Sequence, residues 1–293
     1  MICPKAALLT GPVLVSLAAL FAFGGPSGKE SAPPAASAAD AKAALAPAEP
    51  VAFFSQDAAT AATIKGKVAF SGDAPKMPPV NFDADPVCSR IHADAKVPKE
   101  EVIVNGNGTL KNVLVYAKAS SKALMLVLEW GKKFEAPKTA VVLDQNGCMY
   151  KPHVFGVMTG QKITIRSSDE TSHNIKCQPK KNDPFNISQA KKGMEETKSF
   201  DKEELSPPIR LECNVHPWMN GYCGVFSHPY FAVTGEDGTY TIPGLPPGDY
   251  EIVAWHESPK LDGQKTQTVT VGAKETKTLD FAFAPKAKAE KKE

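Results

Sequence analysis

Cys213-Asn214-Val215-His216-Pro217-Trp218-Met219 sets a thiol, an imidazole and a thioether close together, and Ser172-His173-Asn174 adds a second imidazole about forty residues earlier. Thiolate and thioether favour Cu(I), and imidazole suits either oxidation state. Two His and one Cys in a plane with a weak axial Met form the donor set of a blue-copper electron-transfer site. One short loop cannot surround an ion, so the first imidazole must arrive on a separate strand. Pro217 and Trp218 beside Asn220-Gly221 mark the stretch as loop. Upstream, Ile209-Arg210-Leu211-Glu212-Cys213 alternates with period two, which places Cys213 on the inward face with Ile209 and Leu211. A strand thus delivers its last inward side chain to the ion.

The Cys-x2-His-x2-Met loop, with Pro after the His and an aromatic before the Met, resembles the amicyanin- and plastocyanin-like copper loops of the cupredoxin (blue copper) family. Gly160-Gln161-Lys162-Ile163-Thr164-Ile165, then Ser168-Asp169 and His173-Asn174, is similar to that family's strand, polar turn and first ligand. The resemblance covers residues 136–226. It implies one copper ion, cycling between Cu(I) and Cu(II), with His173, Cys213 and His216 in the plane and Met219 axial. It also implies that Asn174 ties the two ligand loops together and that His216 is the electron's exit. Pro217 and Trp218 are expected at an exposed edge of His216. They serve there as an apolar patch for a redox partner, as packing that shields the metal, or as both.

Cysteine arithmetic accords with a metal. Cys3 belongs to the leader, which leaves Cys88, Cys148, Cys177, Cys213 and Cys223. An odd thiol in an exported chain needs a use. With Cys213 on the metal, four remain for two disulfides, and three pairings are open. Loop positions favour Cys177–Cys223, each four residues past a ligand, together with Cys88–Cys148. Cys88 with His92 and Cys148 with His153 offer a competing second metal site, without the paired Cys-x2-Cys spacing of structural zinc.

Most of the remaining sequence is β-like. Residues 1–25 read as a secretory signal, with uncleaved retention as a membrane tether the alternative. Residues 26–62 form an Ala/Pro-rich linker. Residues 63–135 are an N-terminal β region, 136–226 the cupredoxin-like domain, 227–285 a second β region and 286–293 a charged tail. Asp237-Gly238 turns and the Leu245-Pro246-Pro247-Gly248 corner resemble carboxypeptidase-regulatory-like modules. The expected fold class is all-β: a cupredoxin Greek-key β-sandwich plus a smaller Ig/transthyretin-like β-sandwich. The smaller one is either assembled from 63–135 and 227–285 around an insertion or laid out in sequence. Lys176–Leu205 reads as a long loop with a short helix near Gln189–Glu195.

A net charge of +2, with no basic stripe, gives no sign of a nucleic-acid partner. The chain has no His-x-His, no Cys-x2-Cys-His and no Gly-x-Ser-x-Gly, so enzymes built on those motifs are not expected. The expected function is one-electron transfer in the periplasm or at the cell surface, between redox proteins such as a cytochrome or a dehydrogenase. A cell-surface binding or structural module, or a copper carrier, is the alternative.

Overall fold

The computed structural model describes residues 59–93, 95–129 and 134–287, so the expected signal, most of the linker and the end of the tail lie outside the described residues. In chain order the elements are β1 (Ala62–Phe70), α1 (Pro86–Ile91), β2 (Leu114–Ala117), α2 (Lys122–Glu129), β3 (Val141–Gln145), β4 (Tyr150–Lys151), β5 (Val154–Met158), β6 (Ile163–Ser167), β7 (His173–Cys177), β8 (Phe185–Gln189), β9 (Glu195–Lys198), β10 (Glu204–Glu212), β11 (Asn220–Phe226), β12 (Phe231–Val233), β13 (Thr239–Leu245), β14 (Gly248–Trp255), β15 (Lys265–Val271), β16 (Thr276–Thr278) and β17 (Phe281–Phe283). The protein is all-β in class, with two short helices among the described residues.

The strands form four sheets. In one, β1 lies between β13 and β16, with β17 also beside β1; another runs β12-β2-β14-β15. Their facing side chains, among them Ile64, Val68, Val115, Ile242, Ile252 and Phe281, make one apolar core. The remaining two sheets run β5-β11-β10-β7-β8 and β4-β3-β6-β9. Leu143, Ile163 and Ile165 from the smaller sheet pack with Val157, Ile175, Leu211 and Val225 from the larger. Each such side chain removed from water contributes about 1.5–3 kcal/mol. The first sandwich therefore draws strands from both ends of the described chain, and the second uses β3–β11.

A third cluster seals the seam between them. Val115 and Ala117 of β2 point into the first core, while Leu114 and Tyr116 point the other way, against Val154 and Phe226. Period two thus leaves β2 buried on both faces. Gly224 pairs with Gly156 at this seam. A Cβ at Gly224 would stand 2.8 Å from Leu114 Cδ2, so the close approach requires glycine.

Three expectations need correction. Residues 63–135 do not stay with the first sandwich: Val80, Phe82 and Cys88 join the second core. The short helix expected near Gln189–Glu195 is instead a pair of strands, β8 and β9. Gly193 turns the chain between them at φ 81°. In β8 Phe185, Ile187 and Gln189 alternate with exposed Asn186 and Ser188, whereas β9 is almost wholly exposed and mostly charged, which leaves no apolar period to read. Finally, Cys88 and Cys148 are bonded, but Cys177 and Cys223 are both free and buried. Cys177 lies opposite Leu211 and Cys223 opposite Ile209, on the two strands flanking β10. Two strand spacings separate them, about 9–10 Å, beyond the ~7 Å reach of a disulfide. Burial pushes the Cys177 thiol up to about 12 and the Cys223 thiol well above its usual value, so both stay uncharged.

Candidate metal centre

His173 opens β7, and Cys213 follows the last residue of β10. The turn after Cys213 is closed by backbone bonds: Met219 N donates to His216 O at 2.9 Å, and Cys213 N donates to Met219 O at 3.0 Å. These bonds fold His216 back toward the sulfur. His173 Nδ1 and His216 Nδ1 face each other at 2.9 Å, and Cys213 Sγ is 4.0 Å from His216 Nδ1. One donor atom from each of the three residues falls within 4.8 Å of the others, and all three residues are buried. Met219 is buried in the same core as Cys213.

Asn174 bridges the two ligand loops. Its Oδ1 accepts from Asn214 N at 2.8 Å and lies 3.4 Å from Cys213 Sγ, while its amide donates to Asn186. His216 N also points at the sulfur, at 3.4 Å. Burial opposes a thiolate at Cys213. Hydrogen bonds from His173, His216 and the Asn174 and His216 backbone outweigh it and bring the thiol down to about 5.

Each imidazole is gripped at its far nitrogen by a carboxylate. His173 Nε2 is 2.9 Å from Asp169 Oδ2. Asp169 in turn accepts the N–H groups of Gly147 and Cys148 at 2.7 Å each, supplied by a tight turn with positive φ at both residues. His216 Nε2 is 3.2 Å from Asp85 Oδ2. Asp85 is the N-cap of α1, ahead of Pro86 at the first helical position, and its other oxygen accepts from Val87 N and Cys88 N. Thr171 Oγ1 donates to it at 2.7 Å. Burial raises the Asp85 pKa, but these donors overcome it and hold the carboxyl at about 2. The Cys88–Cys148 bridge joins the two supports, since Asp85 caps the helix that carries Cys88 and Asp169 binds the N–H of Cys148.

The donor set fits a metal. A carboxylate at each Nε2 fixes both N–H groups there and leaves a lone pair on both Nδ1 atoms. Two lone pairs and a thiolate at these distances repel unless a cation lies among them. In the metal-free protein that cation is a proton: burial disfavours charge on His173, yet Asp169 and Cys213 raise its pKa to about 9. Carboxylate–histidine pairs of this kind are how proteins orient metal-binding imidazoles.

The edge of His216 is not exposed, contrary to expectation; the residue is 1% accessible. Asp85 covers Nε2, with Cys88 Sγ 3.7 Å away. Trp218 is half-buried. It packs on the His216 ring at 5.0 Å and on Phe82 at 5.3 Å, and donates to Cys148 O. Pro217, by contrast, is exposed. The alternative second metal site at Cys88, His92, Cys148 and His153 does not form. The sulfurs are bonded to each other, His92 Nε2 meets Gly147 O, and His153 turns to Glu257. Sequence reasoning missed Asp85 and gave Asp169 no role.

Residues 227–284 match the carboxypeptidase regulatory-like domain family, over the stretch expected to resemble it. Among solved structures, the chain is similar to a copper-containing nitrite reductase from Thermus scotoductus SA-01 at 20% identity, covering 33% of this chain and 24% of that one, with a TM-score of 0.28. It is similar to a purple cupredoxin from Nitrosopumilus maritimus at 20% identity, covering 29% and 99%, with a TM-score of 0.25. A mutant of amicyanin in its Cu(I) form matches at 17% identity over 38% of this chain and 98% of that one, at a TM-score of 0.27. The chain spans about a quarter of the nitrite reductase. No curated protein sequence matches it.

Proposed function

We propose that the protein is an exported type 1 copper protein that passes single electrons between redox partners outside the cytoplasm. The observation that carries this is the convergence of His173 Nδ1, His216 Nδ1 and the Cys213 sulfur, with both outer nitrogens held by carboxylates. Bound copper would supply reversible one-electron chemistry between Cu(I) and Cu(II). The chain's own residues do the rest. Asp169 and Asp85 hold the two imidazoles, while Asn174 and the His216 N–H stabilise charge on the sulfur. Met219 would add a weak thioether donor.

Since His216 is covered, the outlet we assign is different from the one the family resemblance implies. Asn214 and Val215 follow the thiolate directly in the chain and are exposed, Val215 at 49%. A cytochrome or dehydrogenase would approach that side. The test is optical: the mature protein with Cu(II) should turn intensely blue, and Cys213→Ser should lose the colour. A colourless protein indifferent to copper favours a cell-surface binding module instead.

A further inference from the structure

A second titratable cluster lies at the edge of the seam, outside the centre described above. His153 immediately precedes β5, and its side chain is 5% exposed. Its Nε2 makes a short contact with Glu257 Oε1, and the Glu257 side chain is itself 6% exposed. A proton donated there leaves the lone pair on Nδ1. Nδ1 has no hydrogen-bond partner, and neither has Glu100 Oε2; both atoms are cut off from solvent. They stand 3.6 Å apart.

That separation is too long for a hydrogen bond. Leaving two such groups buried and unpaired costs about 1–3 kcal/mol each. The same separation suits two donors sharing one ion, because metal–nitrogen and metal–oxygen bonds run to about 2.0–2.2 Å. His153 and Glu100 also line a cavity of about 330 Å³, with Met149, Tyr222, Asn220 and Trp218 among its walls. The pattern repeats that of Asp169 with His173 and Asp85 with His216: a carboxylate on one ring nitrogen leaves the lone pair of the other free to bind a cation.

We propose that His153 Nδ1 and Glu100 form a second cation site, oriented by Glu257, for a divalent transition ion of the zinc or copper(II) type. Imidazole with carboxylate suits those ions, whereas magnesium and calcium prefer oxygen alone. The competing occupant is a proton, with the imidazolium lying between the two carboxylates. Burial opposes that charge, and Glu257 and Glu100 favour it, with the Asn220 backbone also turned to the ring. Tyr222, His256, Lys99, Glu101 and Arg210 are the other titratable groups around this site. An entering ion therefore expels one proton from Nδ1.

The experiment is a titration of the full metal-free chain with Cu(II), followed by electron paramagnetic resonance and visible absorption, and repeated with Zn(II) by equilibrium dialysis. The expected result is a second equivalent of ion with no thiolate-to-copper absorption. Glu100→Gln and His153→Gln should weaken that equivalent by about tenfold or more, and Glu257→Gln by about ten- to hundredfold. Glu100 is 26% exposed in its side chain, so its substitution leaves the fold intact. The absence from the wild type of any equivalent lacking thiolate-to-copper absorption, or one that is indifferent to both Glu100→Gln and His153→Gln, overturns the proposal. The Cys213 centre is read by its blue absorption and this site by its dependence on Glu100, so each reading can fail without the other.

Discussion

The two sandwiches obey the same alternation and fill their interiors differently. Every described cysteine lies in the core of the β3–β11 sandwich, while the core assembled from the two chain ends has none. The first sandwich is a packing solution: an aliphatic and aromatic core, with buried polar side chains such as Thr234 and His228 bonded to nearby backbone. The second sacrifices apolar volume at one end, where β7 begins and β10 finishes, to bury two imidazoles, a thiolate and a carboxylate. Those groups need partners on all sides, and its own strands do not supply them all. The segment between β1 and β2 crosses over with Asp85 and Cys88. Chemistry here is built from connections and strand ends, on a scaffold that alternation alone can specify.

The comparison is broken most severely at the disulfide. Cys88 and Cys148 are 60 residues apart. Replacing both with Ser should cost about 4 kcal/mol on loop-closure grounds, read as a shift in the urea midpoint. Copper affinity should fall with it, because the bridge joins the supports of both ligand imidazoles. Lost stability with unchanged affinity would show that the crossing segment is held without it.

The converse experiment lies in the other core. Leu110 is fully buried there, and Leu110→Ala should cost about 2–5 kcal/mol. The copper spectrum should not move. A changed spectrum would mean that the two sandwiches are coupled through the Leu114–Phe226 seam more tightly than their separate cores imply.

Asp85→Asn sharpens the contrast further. Asn caps a helix as well as Asp, so α1 should persist and stability change little. The amide can no longer offer His216 an anionic acceptor. Copper affinity should drop about ten- to hundredfold; competition against a chelator measures it. An unchanged affinity would make Asp85 a capping residue only.

How much of this could be read from the sequence depends on distance along the chain. His173, Cys213, His216 and Met219 announce themselves through residue type and local spacing, and period two in Ile209–Cys213 set the direction of the sulfur. Asp85 gives no comparable sign. Asp85-Pro86 foretells a helix start, but not that its second oxygen meets an imidazole 131 residues later. The buried edge of His216 was illegible for the same reason, since its cover comes from Asp85 and Cys88, far away in sequence in the segment between β1 and β2. The Cys177–Cys223 pairing failed because nearness to the ligands in sequence ignored β10, which lies between them. β8 alternates over only five residues and β9 is almost wholly exposed and mostly charged, so neither stands out from loop.

The finest test concerns the proton held between the imidazoles. At neutral pH the Cys213 thiol, at about 5, is ionised, and His173, raised to about 9, is charged. A metal entering the site competes with that proton for Nδ1. Below the His173 value each ion displaces one proton, so apparent affinity should rise about tenfold per pH unit. The dependence should flatten above about 9, where the proton has already gone, and steepen below about 5, where the thiol must also lose one. Co(II) reports this selectively, because its thiolate charge-transfer band arises only at Cys213. Affinity that stays level between these limits would mean that no proton joins the rings across their 2.9 Å gap. The carboxylates would then not be setting the tautomers, and the central difference between the two sandwiches would rest on the sulfur alone.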